Sequence, residues 1–138
     1  MSFKLRKKQR LKSPDDFKRV YNNKQWGNTR LLTFNVLSNN ALPDELSQLG
    51  VTVSKKVSKL AVRRNQLKRI VKEFYRHHQQ ELKHASLVIT VKPAARHADN
   101  DELRSELAEL WVKVLKWQRW NYHQTKKSLV AEAAKDPV

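Results

Sequence analysis

The side chains best suited to chemistry in this sequence lie between Ser54 and Arg76, SKKVSKLAVRRNQLKRIVKEFYR, a stretch with nine Lys or Arg and one acid, Glu73. The chemistry they suit is the binding of anions. At helical spacing from about Ala61, Leu67, Ile70, Val71 and Phe74 fall on one arc, and Arg64, Asn65, Lys68, Arg69, Lys72 and Arg76 on the opposite one. A helix kept soluble by charge alone would mix Glu with Lys at i,i+4, and that mixture is missing. Asn65 points the same way, because an amide among cations can accept hydrogen bonds as well as donate them.

Residues for side-chain catalysis are not arranged for it. Five histidines, His77, His78, His84, His97 and His123, are scattered, and the chain has no cysteine and no His-Glu-x-x-His helix. The acids concentrate at helix starts, where capping accounts for them. Two glycines cannot build a phosphate-cradling loop. Any reaction this chain serves is expected to be carried out by its partner. No metal site and no cofactor of its own is expected.

Composition agrees. The 138 residues suffice for one domain with a modest core, and 29 basic against 13 acidic residues give a formal charge of +16. So large an excess repels itself when compact and calls for an extended anionic partner. No apolar run approaches the ~20 residues that span a bilayer, so a membrane partner is not expected. The basic start MSFKLRKKQR has no apolar segment behind it and does not read as a secretory signal. The lack of cysteine fits a reducing, cytoplasmic setting.

The elements that must position the basic stretch follow from pattern. Residues 1–12 carry six cations and read as a mobile arm. Ser13-Pro14-Asp15-Asp16 starts a helix with a cap, a proline and two acids, and Phe17, Val20 and Tyr21 share one of its faces. Phe17 and Tyr21 suit either a core or stacking on an unpaired base. Trp26-Gly27-Asn28 reads as a turn. Leu31 to Leu37 alternates Leu32, Phe34 and Val36 against Thr33 and Asn35, as a half-buried strand does, and Phe34 can face the core or an open groove. Asn39 to Ser47 reads as a loop, Leu49 to Ser54 as a second strand, and Leu87 to Val91 as a buried central one. Asp99 to Glu102 opens a last helix with an apolar stripe of Leu103, Leu107, Leu110, Trp111 and Val114, from which Trp120 departs. The domain is expected over residues 13–119, with residues 120–138 a frayed tail.

Taken together, Leu49-Gly50-Val51-Thr52-Val53-Ser54-Lys55-Lys56, then Ala61, Arg64-Asn65, Lys68-Arg69 and Glu73-Phe74-Tyr75-Arg76, resemble the signature of the protein-subunit family of bacterial ribonuclease P. Asp16-Phe17 with Val20-Tyr21, Leu31 to Val36, Leu87 to Lys92 with Pro93-Ala94, and Leu110-Trp111 are similar to further parts of that family, over roughly residues 11–117. Two positions depart. Gln66 stands where the family usually has Arg, with Arg63 the nearby cation that could replace it, and Ser58 stands where a Gly is common.

The resemblance implies an α+β fold, a two-layer α/β sandwich of order α-β-β-(β)-α-β-α with a left-handed crossover, like the second domain of ribosomal protein S5. It implies an accessory subunit of an endoribonuclease whose catalyst is a large RNA needing Mg²⁺, which removes the 5′ leader of precursor tRNA. Carried over by position, Arg63, Arg64, Asn65, Lys68, Arg69, Lys72 and Arg76 would contact the catalytic RNA. Phe17, Tyr21, Phe34, Ser54, Lys55, Lys56 and Lys92 would line a leader cleft, the three rings being partly exposed. Partners would be ribonuclease P RNA and precursor tRNA, with no obligate protein partner. Two other readings share the charge: a general RNA-binding protein with no reaction attached, and a metal nuclease using the histidines.

Overall fold

The fold is that of a computed structural model describing residues 9–11, 13–23, 25–39, 42 and 46–135, with side chains through residue 126. Helix α1 (Pro14–Asn22) starts as the sequence predicts: Ser13 Oγ accepts from the Asp16 N–H at 3.2 Å, and the Asp16 carboxylate accepts in return from the Ser13 N–H. Strands β1 (Trp26–Asn28), β2 (Leu32–Ser38) and β3 (Ser47–Val53) follow, then helix α2 (Ala61–His78), strand β4 (Ala85–Val91) and helix α3 (Asn100–Lys135). Short 3-10 turns at Gln79–Glu81 and Pro93–His97 flank β4.

The sheet order is β1-β2-β4-β3. Strand β4 pairs antiparallel with β2 (Phe34 opposite Ile89) and parallel with β3 (Val51 opposite Ile89), so α2 is the crossover between parallel neighbours. Six of its seven residues are buried, as expected of a central strand covered on both faces. Register separates the two faces. Leu32, Phe34, Val36, Leu49, Leu87, Ile89 and Val91 meet α2 and α3 in the main core, with Leu67, Ile70, Val71, Tyr75, Leu103, Leu107, Leu110, Trp111 and Val114. Thr33, Asn35, Thr52, Val88, Thr90 and Gly50 lie on the other face, which α1 covers only in part. There Phe17 sits so close over Gly50 that a Cβ on residue 50 would come within 2.6 Å of its ring, which leaves room for glycine only.

Three expectations change. Trp26-Gly27-Asn28 is not a plain turn but an edge strand paired with residues 33–35 of β2. Periodicity could not reveal it, because a strand of three largely exposed residues carries no alternation, and only its pairing with β2 defines it. Within the arm expected over residues 1–12, Arg10 bridges in parallel to Leu49, the Leu11 N–H donates to the Leu49 carbonyl at 3.1 Å, and Gln9 is buried. Those three residues lengthen the sheet beyond β3; residues 1–8 and 12 lie outside the described residues. Finally, where the chain was expected to fray after residue 119, α3 continues as helical backbone to Lys135. Most of the loop expected before β3 (residues 40, 41 and 43–45) also lies outside the described residues.

Candidate nucleic-acid interface

Helix α2 is amphipathic as the sequence demands. It buries Leu67, Ile70, Val71 and Tyr75, and turns Asn65, Lys68, Arg69, Lys72 and Arg76 outward around one shallow depression of about 490 Å³. Arg10, brought there by the bridge to β3, completes the rim. No sequence periodicity could have placed Arg10 here, since only its pairing with Leu49 does so. Arg69 holds Glu73 at 3.6 Å in an exposed i,i+4 pair worth at most about half a kcal/mol, weak enough for a phosphate to displace. The Nε of Arg76 is enclosed with no hydrogen-bond partner.

Two further cations of this helix, Arg63 and Arg64, are engaged within the protein. The Arg63 guanidinium donates to Asn100 Oδ1 at 2.9 Å, to the Ala98 carbonyl at 3.1 Å and to Gln66 Oε1 at 3.2 Å. It ties α2 to the start of α3, so it is not held as a free substitute for the missing Arg at position 66. Arg64 Nη1 donates to the Ser58 carbonyl at 2.8 Å and fixes the loop that leads into the helix. That helix has no side-chain cap: Leu60 occupies the N-cap, and no acid stands in the first turn.

Across the sheet from α2, a second surface forms between α1 and the partly covered face. Phe17 is half-buried against Gly50, and Tyr21 is 37% exposed beside it. Thr33, Asn35, Thr52 and Thr90 give this face a polar floor, with Thr52 Oγ1 donating to Thr90 Oγ1 at 2.9 Å. At one end stand the exposed Ser54, Lys55 and Lys56, and the half-buried Lys92, whose Nζ donates to the Thr29 carbonyl at 2.7 Å. Arg96 braces the same corner by donating to the Lys56 carbonyl at 2.8 Å.

Phe34 does not belong to this surface. It is only 4% exposed and shares the core face with Leu32 and Val36, opposite Ile89 and under Gly27, where a Cβ would approach its ring to 2.6 Å. The expectation of partial exposure is therefore corrected for Phe34, while Phe17 and Tyr21 remain partly open. The alternation that puts Phe34 with Leu32 and Val36 also puts Thr33 and Asn35 on the cleft side. Parity was the signal that could have identified those two residues.

Beneath α2, Tyr75 is fully buried, and its hydroxyl makes a short hydrogen bond with Ser47 Oγ. Burial pushes the phenol up to about 12, against the lowering influence of its contacts with Ser47 and Gln9. The neutral hydroxyl thus pins α2 to the first residue of β3. Among the described residues no three of His, Asp and Glu come together as metal ligands, and no helix is long and apolar enough to cross a membrane.

The ribonuclease P family model matches residues 5–115. A ribonuclease P protein component from Thioalkalivibrio sulfidiphilus is 30% identical over 105 residues, covering 76% of this chain and 85% of the relative. One from Vibrio cholerae is 33% identical over 105 residues, covering 76% and 86%. Among solved structures, a ribonuclease P protein of Staphylococcus aureus superposes with a TM-score of 0.67 at 25% identity, covering 81% of this chain and 92% of that one. The protein from Thermotoga maritima gives 0.64 at 24% identity, covering 73% and 93%, a likeness of fold. With a basic α2 face on one side of the sheet and an aromatic-edged cleft on the other, the chain belongs to the family of ribonuclease P protein components, which serve in tRNA processing.

Proposed function

We propose that this protein binds the catalytic RNA of ribonuclease P through the outer face of α2 and holds the single-stranded 5′ leader of precursor tRNA in the cleft between α1 and the sheet. The observation that carries the reading is the gathering of Asn65, Lys68, Arg69, Lys72, Arg76 and Arg10 around one depression, with Phe17 and Tyr21 presented on the opposite side of the sheet. One surface meets each RNA.

Physical chemistry supports this division. Cations on a rigid helix displace condensed counterions from a structured RNA, and this gains affinity without reading sequence. Rings at a cleft edge stack unpaired bases without choosing among them, as removal of leaders of varied sequence requires. Lys55, Lys56 and Lys92 at the cleft's end would screen the leader phosphates as two polyanions approach. Bond cleavage and its Mg²⁺ are assigned to the RNA, and this chain's residues bind and orient. The setting is cytoplasmic, and no obligate protein partner is needed.

Cleavage of 5′-labelled precursor tRNA at low Mg²⁺ tests the reading, with protein alone, with ribonuclease P RNA alone, and with both. Cleavage only or mainly with both is expected. Tight RNA binding without stimulation would leave a general RNA-binding protein, and cleavage by the protein alone would leave a nuclease acting through its own side chains. Within the active complex, Lys72→Ala should weaken assembly with the catalytic RNA and flatten its salt dependence by about one unit in log–log slope. Filter binding across a salt series would show it, and an unchanged slope would remove Lys72 from the phosphate-contacting set.

A further inference from the structure

Helix α3 changes character five residues before the family match ends. From Asn100 to Glu109 it carries four acids and one Arg; from Leu110 to Ala131 it carries Lys113, Lys116, Arg119, Lys126 and Lys127 and no acid. The acidic half is occupied: Arg30 reaches Glu102 at 3.5 Å and Glu106 at 3.4 Å, while Leu103 and Leu107 fill the core, which Leu110, Trp111 and Val114 at the start of the basic half extend. The basic half leaves the core at Gln118, which accepts from the Lys83 N–H at 2.7 Å and donates to the Glu81 carbonyl at 2.8 Å. From Arg119 to Lys126 every side chain but that of Asn121 is exposed, including Trp120 (50%) and Tyr122 (63%).

The spacing of this exposed segment is itself informative. Arg119, Tyr122, His123 and Lys126 stand at i, i+3, i+4 and i+7, the positions where a helix resting on its own domain would carry apolar residues. Arg119, Tyr122 and His123 line one wall of a groove of about 520 Å³ whose other wall includes Lys83 and His84. His84 is held in the left-handed backbone region (φ 52°), an unusual conformation for a non-glycine residue, and its Nδ1 is enclosed without a hydrogen-bond partner. Two cations, Lys83 and Arg119, an aromatic ring and two imidazoles against the single carboxylate of Glu81 suit phosphates and unpaired bases together.

We infer that the groove between the basic end of α3 and the His84 turn is a second docking surface for ribonuclease P RNA, separate from the α2 face and from the leader cleft. The inference rests on the reading that this chain assembles with that RNA. Its position favours the catalytic RNA over the precursor. His84 and Lys92 stand just outside opposite ends of β4, roughly 25 Å apart along the strand, so the groove lies at the far end of the sheet from the cleft lysines. The 3-10 turn that contributes Glu81 to the groove runs on directly from the last turn of α2, making it continuous with the helix assigned to that RNA.

The test uses full-length protein carrying Arg119→Glu and Lys126→Glu together, with a Tyr122→Ala protein as the second variant. Affinity for ribonuclease P RNA is measured by filter binding across a salt series. In parallel, precursor tRNA binding by the assembled complex and the sedimentation of free protein are followed. Both substitutions are in exposed positions, and unchanged melting temperatures would establish that the variants fold. The expected result for the double variant is about tenfold weaker binding to ribonuclease P RNA and a salt slope flatter by about two, with precursor binding by the assembled complex retained. Tyr122→Ala should weaken RNA binding with the slope unchanged, as loss of a stacking ring does.

Unchanged affinity and slope in both variants would overturn the inference. So would a loss confined to precursor binding, or a wild-type dimer that the variants dissociate, since these would give the groove to the precursor or to a second copy of the chain. Failure of the wild-type protein to bind or stimulate the RNA would instead overturn the reading on which the inference rests.

Discussion

At the scale of single residues, the two faces of the sheet dictate opposite outcomes for aromatic substitutions of similar size. Phe34 is a core ring, so Phe34→Ala should destabilise the fold by about 3 to 5 kcal/mol through lost burial and a residual cavity. The melting temperature would report it, and leader binding by the folded fraction should be unchanged. Tyr21 contributes to the cleft edge, so Tyr21→Ala should leave melting nearly unaltered while weakening precursor binding relative to mature tRNA by ~1 to 3 kcal/mol. Equal losses for both RNAs would show that the ring stacks on no leader base. The pattern of strand β2 contained this distinction, because Leu32, Phe34 and Val36 repeat with period two and their neighbours are polar. What the chain could not disclose alone was Gly27: only pairing with β2 shows that this glycine gives the Phe34 ring its space.

At the scale of elements, α2 is anchored by a buried phenol and left open at its first turn. Tyr75 is ordinarily ionised above pH 10, and in the fold it titrates near 12, so the folded state binds its proton more tightly than the unfolded state. The resulting contribution is fully present below pH 10 and is lost as pH rises through 12, by up to about 3 kcal/mol. Tyr75→Phe should remove that part of the alkaline destabilisation, which is checked by comparing the two proteins' denaturant midpoints between pH 9 and 12. The uncapped start of α2 suggests a complementary change. Leu60→Asp would supply the missing cap and raise stability by about 1 kcal/mol in denaturant titrations. It would also set a carboxylate beside the face proposed to meet RNA and should weaken assembly at low salt. The presence of all three helices and of the three longer strands was legible from periodicity, helped by the capping signals at the starts of α1 and α3, since those signals are local. The edge strand β1 and the bridge at Arg10 were not, because pairing across the sheet creates them.

For the whole molecule, charge is the governing quantity. A formal +16 on 138 residues opposes compaction, and around the α2 depression and the α3 groove cations outnumber the single acid lining each, Glu73 and Glu81. Polyvalent anions should therefore stabilise the free protein more than chloride at equal ionic strength, since they bind the folded surface as well as screen it. Thermal melts in phosphate or sulfate against sodium chloride would show the difference; coincident melts would mean that screening alone accounts for any gain. The overall fold was foreseeable from family likeness and strand pattern together, and the α2 face from charge alone. The full length of α3 was not, because from Gln118 to Ser128 its only large apolar residues are Trp120 and Tyr122, which do not continue the stripe at helical spacing.

The placement of β4 at the sheet's centre also sets an order of events during synthesis. Strands β2 and β3 do not pair with each other; both pair with β4, which follows β3 by 38 positions, after all of α2 has been made. Until Val91 has left the ribosome, β3 lacks its neighbour in the sheet and the apolar face of α2 lacks a complete floor. During that interval the strongly basic first two thirds of the chain lacks the complete sheet and the α3 stripe that fill its core, and native structure closes over it only when the last third arrives.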